Sequence, residues 1–115
     1  MKKLFEIAVL LGFLFIGNQA YSQTVEIPNV ITPNNDGIND FFYITSTGYV
    51  QMEGIILNRR GEPIINFYGI NARWDGRNSA GERVMDGVYF YKITLTREDG
   101  EQDSFMGNIQ VVGRN

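Results

Sequence analysis

One stretch limits the fold more than any other: Gly87 to Val112, read as two runs of strict alternation around an Asp-Gly step. In "GVYFYKITLTR", Tyr89, Tyr91, Ile93 and Leu95 fall on one face, and Val88, Phe90, Lys92, Thr94 and Thr96 on the other. In "DSFMGNIQVV", Phe105, Gly107, Ile109 and Val111 alternate with Met106, Asn108, Gln110 and Val112. Side chains alternate across a strand, so period two over such lengths predicts two strands. Between them, Asp99-Gly100 predicts a hairpin turn, because glycine accepts the positive φ that tight turns impose. Tyr89, Phe90 and Tyr91 cannot all share a face, so at least one is turned outward. A sandwich wall is the preferred reading of these aromatics, and Lys92, Thr94 and Thr96 read as an ordinary solvated row.

The same reading gives strands at "FFYITS" (41–46), "QMEGIILN" (51–58) and "PIINF" (63–67). "VEIPNVI" (25–31) reads as an edge strand, since Pro28 has no N–H to give a ladder. No stretch beyond the N-terminus has capped helical periodicity, and glycines fall mostly between the strands. About seven short strands with closely spaced turn signals predict an all-β, immunoglobulin-like antiparallel β-sandwich, with no internal repeat and no second domain.

The N-terminus reads differently. Lys2 and Lys3 precede the apolar run Ile7 to Ile16, and Ala20-Tyr21-Ser22 offers small residues where a signal peptidase needs them. Residues 1–22 are therefore expected to be a signal peptide cut between Ser22 and Gln23, leaving 23–115 as one domain. The apolar run is shorter than the roughly 20 residues that span a bilayer, and no transmembrane helix is expected in the remainder. That remainder has 8 Lys and Arg against 12 Asp and Glu, a net charge of −4, which argues against nucleic acid as a partner. Without cysteine it has neither a disulfide nor a thioether-linked lipid. Without histidine or cysteine it lacks the commonest general base, the thiolate nucleophile and the usual zinc ligands. Its one lysine, Lys92, lies in a strand, and no spacing brings two carboxylates together. The expectation is a protein that is not an enzyme.

Three glycine-marked motifs remain. "IPNVITPNNDGIND" places Asn34, Asp36 and Asp40 as a calcium loop would, but Thr32 and Tyr43 then occupy the first and twelfth loop positions, where ligands are needed. The preferred reading is a turn, with Asp36 and Asn39 bonding nearby N–H groups and Gly37 at positive φ. Calcium at Asn34, Asp36 and Asp40 is the alternative, and no other cofactor is expected. "NRRGEPI" predicts a hairpin through Asn58 and Gly61. "RWDGRNSAGERVMDGVYFYKI" wraps Gly76, Gly81 and Gly87 around Trp74, a large core plug whose N–H needs a partner.

Taken in order, these residues resemble the gliding motility-associated C-terminal domain of Bacteroidota, also called the type B sorting domain of the type IX secretion system. The matching positions are Ile27, Pro28, Asn29, Thr32, Pro33, Asn34, Asp36, Gly37, Asn39 and Asp40; then Asn58, Arg59 and Gly61. They continue through Trp74, Asp75, Gly76, Gly81, Asp86, Gly87, Tyr89 and Tyr91 to the closing Gly107 and Ile109. The resemblance runs from about Val25 to Val112 and implies an immunoglobulin-like sandwich. It also implies a non-enzymatic sorting role, read by outer-membrane secretion machinery, that carries a protein to the cell surface or the medium. The terminal strand with Gly107, Ile109 and Val111 is the part expected to be read. Departures are Ile31 in place of phenylalanine, Asn35 in place of glycine, Arg60 in place of tryptophan, and the loose end "VVGRN". Family members usually follow a long passenger, whereas here the domain follows the signal peptide directly. That motivates the rival expectation of a stand-alone module binding a surface protein or glycan.

Overall fold

A computed structural model describes residues 23–113. The expected signal peptide, 1–22, lies outside the described residues. Nine strands follow in order: β1 (Thr24–Glu26), β2 (Val30–Ile31), β3 (Phe42–Tyr43), β4 (Thr45–Thr47), β5 (Tyr49–Leu57), β6 (Pro63–Tyr68), β7 (Arg73–Trp74), β8 (Gly87–Arg97) and β9 (Gln102–Val111). A five-stranded sheet has the order β2-β9-β8-β5-β6, and two ribbons, β1-β4 and β3-β7, make up the rest.

The count exceeds the expected seven for local reasons. The run 25–31 breaks around Pro28, so β1 joins one ribbon and β2 joins the main sheet. The run 41–46 changes partner at the buried Ile44, pairing with β7 before it and β1 after it. One pair also departs from the antiparallel expectation: β2 lies parallel to β9, Val30 opposite Gln110 and Ile31 opposite Val111. Asn29 and Ile31 carbonyls accept the N–H groups of Gln110 and Val112.

The β8-β9 hairpin follows the alternation. Tyr89, Ile93, Leu95, Ile109 and Val111 are buried, whereas Phe90 and Met106 are exposed. Side chains of facing strands form rows across the inner face. Phe67, Gly54, Ile93 and Phe105 make one row; Ile65, Ile56, Tyr91 and Gly107 make another. Each row sets a glycine beside a large ring. A Cβ on Gly54 would stand 2.5 Å from Phe67 Cζ, and one on Gly107 would stand 2.5 Å from the Tyr91 hydroxyl. The ribbons close the other side of the core with Phe42, Ile44 and Trp74. Phe42 meets Tyr91 at 5.3 Å between ring centroids, and Trp74 meets Tyr89 edge-on at 5.9 Å. Burying each such side chain contributes roughly 1.5–3 kcal/mol.

Three turns share one construction. In Asn58–Glu62, Asn78–Glu82 and Arg97–Glu101 the first N–H donates to the fifth carbonyl, and the glycine N–H donates to the first carbonyl. Gly61, Gly81 and Gly100 have φ of 82°, 83° and 93°, the left-handed position of a three-residue hairpin loop. In the first two, the asparagine Oδ1 also accepts two backbone N–H groups and its Nδ2 donates to the glutamate. "NRRGE" and "NSAGE" are thus one turn used twice, a short recurrence the sequence reading did not register.

Behind the third turn, Asp103 receives the Tyr49 hydroxyl at 2.6 Å and two Arg97 N–H groups at 3.0 and 3.1 Å. The Tyr49 hydrogen bond first, and then Arg97, hold the Asp103 carboxyl below the usual carboxylate range.

Two predictions follow from this packing. Gly54→Ala destabilises by about 1–3 kcal/mol in chemical denaturation, and a second change, Phe67→Leu, recovers part of the loss. If Phe67→Leu brings no recovery, the ring is not what excludes the methyl. Because the folded-state pKa of Asp103 is depressed, its contribution is complete above the unfolded value of about 3.9. It is lost as pH falls through the lower folded value. Melting temperature against pH should therefore fall less steeply below about pH 4 in Asp103→Asn than in the parent, and parallel curves would refute the assignment.

Candidate functional site

Residues of the first and third motifs gather around two adjoining clefts. The loop 32–40 is drawn shut by its own polar groups. Thr32 N–H donates to the Asn39 carbonyl at 2.7 Å, and the Thr32 hydroxyl donates to the Ile38 carbonyl. Asp40 is the centre: one carboxylate oxygen accepts the N–H groups of Asn34 and Asn35 at 3.2 and 3.0 Å, and the other accepts that of Gly37 at 2.8 Å. Asn34 Oδ1 accepts from Asp36 N–H and Asp36 Oδ1 from Ile38 N–H, two consecutive Asx turns. Asn35, Gly37 and Asn39 take positive φ of 65°, 81° and 55°, which asparagine tolerates better than other side-chain-bearing residues.

The sequence reading assigned the side-chain bonds to Asp36 and Asn39. Asp36 takes that role, but Asn39 contributes its backbone, through positive φ and its carbonyl. Asn34 and Asp40, considered as calcium ligands, turn their oxygens toward amides. The N–H groups of Asn34, Asn35, Asp36 and Gly37 converge on these oxygens. Among the described residues no group of three acidic, histidine or cysteine side chains is placed to hold a metal.

Pro33 links this loop to the third motif. Its carbonyl accepts an Arg83 guanidinium N–H. Its ring lies against Gly76, where a Cβ would come within 3.1 Å of Cγ and φ is 83°. Trp74, almost wholly buried, donates its indole N–H to the Arg77 carbonyl at 2.7 Å, so the plug also ties the chain that follows it. Asp75 pairs with Arg77 at 3.7 Å across a half-exposed contact. Tyr89 then donates to the Met85 carbonyl at 2.7 Å. Burial chiefly, and the Asp86 charge second, raise its hydroxyl above the ordinary tyrosine value. Asp86 accepts the Gly113 N–H at 2.8 Å and so holds the chain just beyond β9.

Pro33, Gly76, Arg83, Val84, Met85, Asp86, Val111 and Gly113 line an open cleft of about 450 Å³. A smaller cleft of about 140 Å³ adjoins it, with Asn35, Asp40, Phe41, Asp75 and Arg77 in its walls. The structure therefore brings together Pro33, Asp40, Asp75, Gly76 and Val111. It leaves Asn58 and Gly61 in a separate hairpin, and Gly107 with Tyr91 in the core. Arg83, Val84 and Met85 belong to the cleft but to none of the motif positions; their only sequence signal was their place between Gly81 and Asp86. Met85 is 81% exposed, which is unusual for a side chain of its size in a packed wall. The cleft offers shape, one guanidinium and one carboxylate, the equipment of a recognition surface.

A family model described as CHU_C type IX secretion signal domain matches residues 25–111. Among solved structures, the fold is similar to CopC from Methylosinus trichosporium OB3b, with a TM-score of 0.56 and 13% identity over 80% of this chain and 92% of that one. It is also similar to part of dimeric latent PorU from Porphyromonas gingivalis, with a TM-score of 0.53 and 15% identity over 81% of this chain. This chain spans 10% of that protein's length. At such identities both likenesses concern the fold alone. No curated protein matches in sequence.

Asp40→Ala strands three loop N–H groups and should cost about 1–3 kcal/mol in chemical denaturation. Asp40→Asn, which keeps one acceptor oxygen, should cost less. Equal losses would mean that charge and acceptors at Asp40 do not hold the loop.

Proposed function

The chain belongs to the type IX secretion signal domain family, and from that premise we propose how this sorting domain is presented to the machinery that reads it. A domain of this family is a non-catalytic export signal, and its destination is the cell surface or the extracellular space. The feature read is the end of the sandwich where loop 32–40, the Arg83–Asp86 segment and the end of β9 line one cleft. The observation that carries this reading is the convergence there of Pro33, Gly76 and Val111, separated along the chain and adjacent only after folding. Such a surface reports that the domain is folded, which a linear signal does not.

In this reading residues 1–22 are a cleaved signal peptide for the first membrane crossing. Residues 23–115 are a single sorting domain of a Bacteroidota gliding-associated system, and no part of the chain is an enzyme. The loop 32–40 works as a self-closed turn without calcium, because the Asp40 oxygens already serve amides. Its melting temperature should be the same in calcium and in chelator; a rise of several degrees with calcium would reverse this part of the reading.

The test places a reporter between Ser22 and Gln23 of the full chain, in a host with a working type IX system and in one lacking its translocon. The reporter should reach the surface or medium only in the first. Met85→Glu, at an exposed side chain, should leave stability within about 0.5 kcal/mol and reduce export by about tenfold, near the loss of one interface anchor. Export independent of the translocon would overturn the sorting reading. Normal export of the Met85→Glu form would overturn the cleft alone.

A further inference from the structure

The outer side of the β3-β7 ribbon carries a second feature, which meets the smaller cleft at Phe41 but shares no residue with the larger one. Register puts Phe42 opposite Trp74 and Tyr43 opposite Arg73. Phe42 and Trp74 enter the core, so alternation sends Phe41, Tyr43 and Arg73 to the solvent face. Phe41 and Tyr43 remain 44% and 40% exposed. The Arg73 guanidinium stands over both rings, 4.9 Å from the Phe41 centroid and 5.5 Å from that of Tyr43.

Arg60, Arg77 and Arg97 each face a carboxylate, and Arg83 holds the Pro33 carbonyl. The Arg73 side chain has no ion pair or hydrogen bond among the described residues. Stacking thus orders a guanidinium whose planar N–H fork is unspent. A preordered fork matches a carboxylate in two parallel hydrogen bonds and loses little freedom on binding. The tyrosine hydroxyl and the Asn71 amide, 3.5 Å apart, add polar groups beside the rings.

We propose that this face is a binding site for an acidic saccharide, a glycan bearing hexuronate units. The sugar carboxylate seats on Arg73, its ring C–H groups lie against Phe41 and Tyr43, and its hydroxyls reach Asn71 and Tyr43. The two rings flank β3, Phe41 just before it and Tyr43 within it, and both lie within 5.5 Å of the Arg73 guanidinium. The chain from 23 to 115 is acidic overall, with net charge −4, so its general field repels polyanions and binding depends on this local cation. A saccharide needs only the half-exposed rings, the cation and the polar groups beside them, whereas an acidic peptide would also need partners for its backbone.

The probes are oligogalacturonate, its methyl-esterified form and poly-glutamate, titrated calorimetrically into the purified full-length protein. Oligogalacturonate should bind saturably, and the esterified form should not. Arg73→Gln should weaken binding by at least about tenfold, the scale of one charge-assisted bidentate pair, and Tyr43→Leu should weaken it with Arg73 intact. Arg59→Gln, at an arginine without such stacking, should leave it unchanged. Thermal melts of each variant separate lost binding from lost folding. No saturable binding, equal loss in Arg59→Gln, or equal binding of poly-glutamate would each overturn the proposal. Export of the reporter fusion is unaffected by Arg73→Gln if the two surfaces are separate.

Discussion

The two ring contacts between the layers hold the rest of this structure in place. Trp74 against Tyr89 and Phe42 against Tyr91 join the ribbons to the main sheet, and each ring also sets a piece of chain. Trp74 binds the Arg77 carbonyl and Tyr89 binds the Met85 carbonyl. Both walls of the irregular segment 75–86 are therefore anchored from the core. Tyr91 can lie as it does only because position 107 has no side chain. The cleft is thus framed by aromatic packing, and its lining residues complete it through Arg83 on the Pro33 carbonyl and Asp86 on the Gly113 N–H.

The polar loop solves a different problem by different means. Between 32 and 40 there is little apolar surface to bury, so order comes from hydrogen bonds to backbone N–H groups. One carboxylate serving three amides resembles the way an anion is held in a concave run of amides, with the anion supplied by the chain itself. The Arg83 contact to Pro33 then couples this locally ordered loop to the segment ordered by the core.

What the sequence made legible follows the range of the interactions. The faces of β8 and β9, the Asn58–Gly61 hairpin and the Trp74 plug depend on neighbours a few residues away or on burial alone, and each was readable. The parallel pairing of β2 with β9 joins Ile31 to Val111; nothing in "NVI" distinguishes that partner from an antiparallel one. β7 has only two residues, too short for any alternation to show. Asp40 was recognised as a motif position, but its three amide partners appear only when the loop closes. Arg73 stood 32 residues from Phe41 and 30 from Tyr43, with no local pattern to connect them. The family resemblance identified which positions matter without stating what each one does.

The short parallel pair β2-β9 has a consequence for synthesis. It brings residues near the start of the described domain against residues near its end, so a chain broken off before Gln110 lacks one side of this pair and one wall of the cleft. Contacts so distant in sequence form late and slowly. The assembled surface is accordingly a receipt for a finished domain: a fragment that stops short of Gln110 cannot present it, however well its earlier hairpins form.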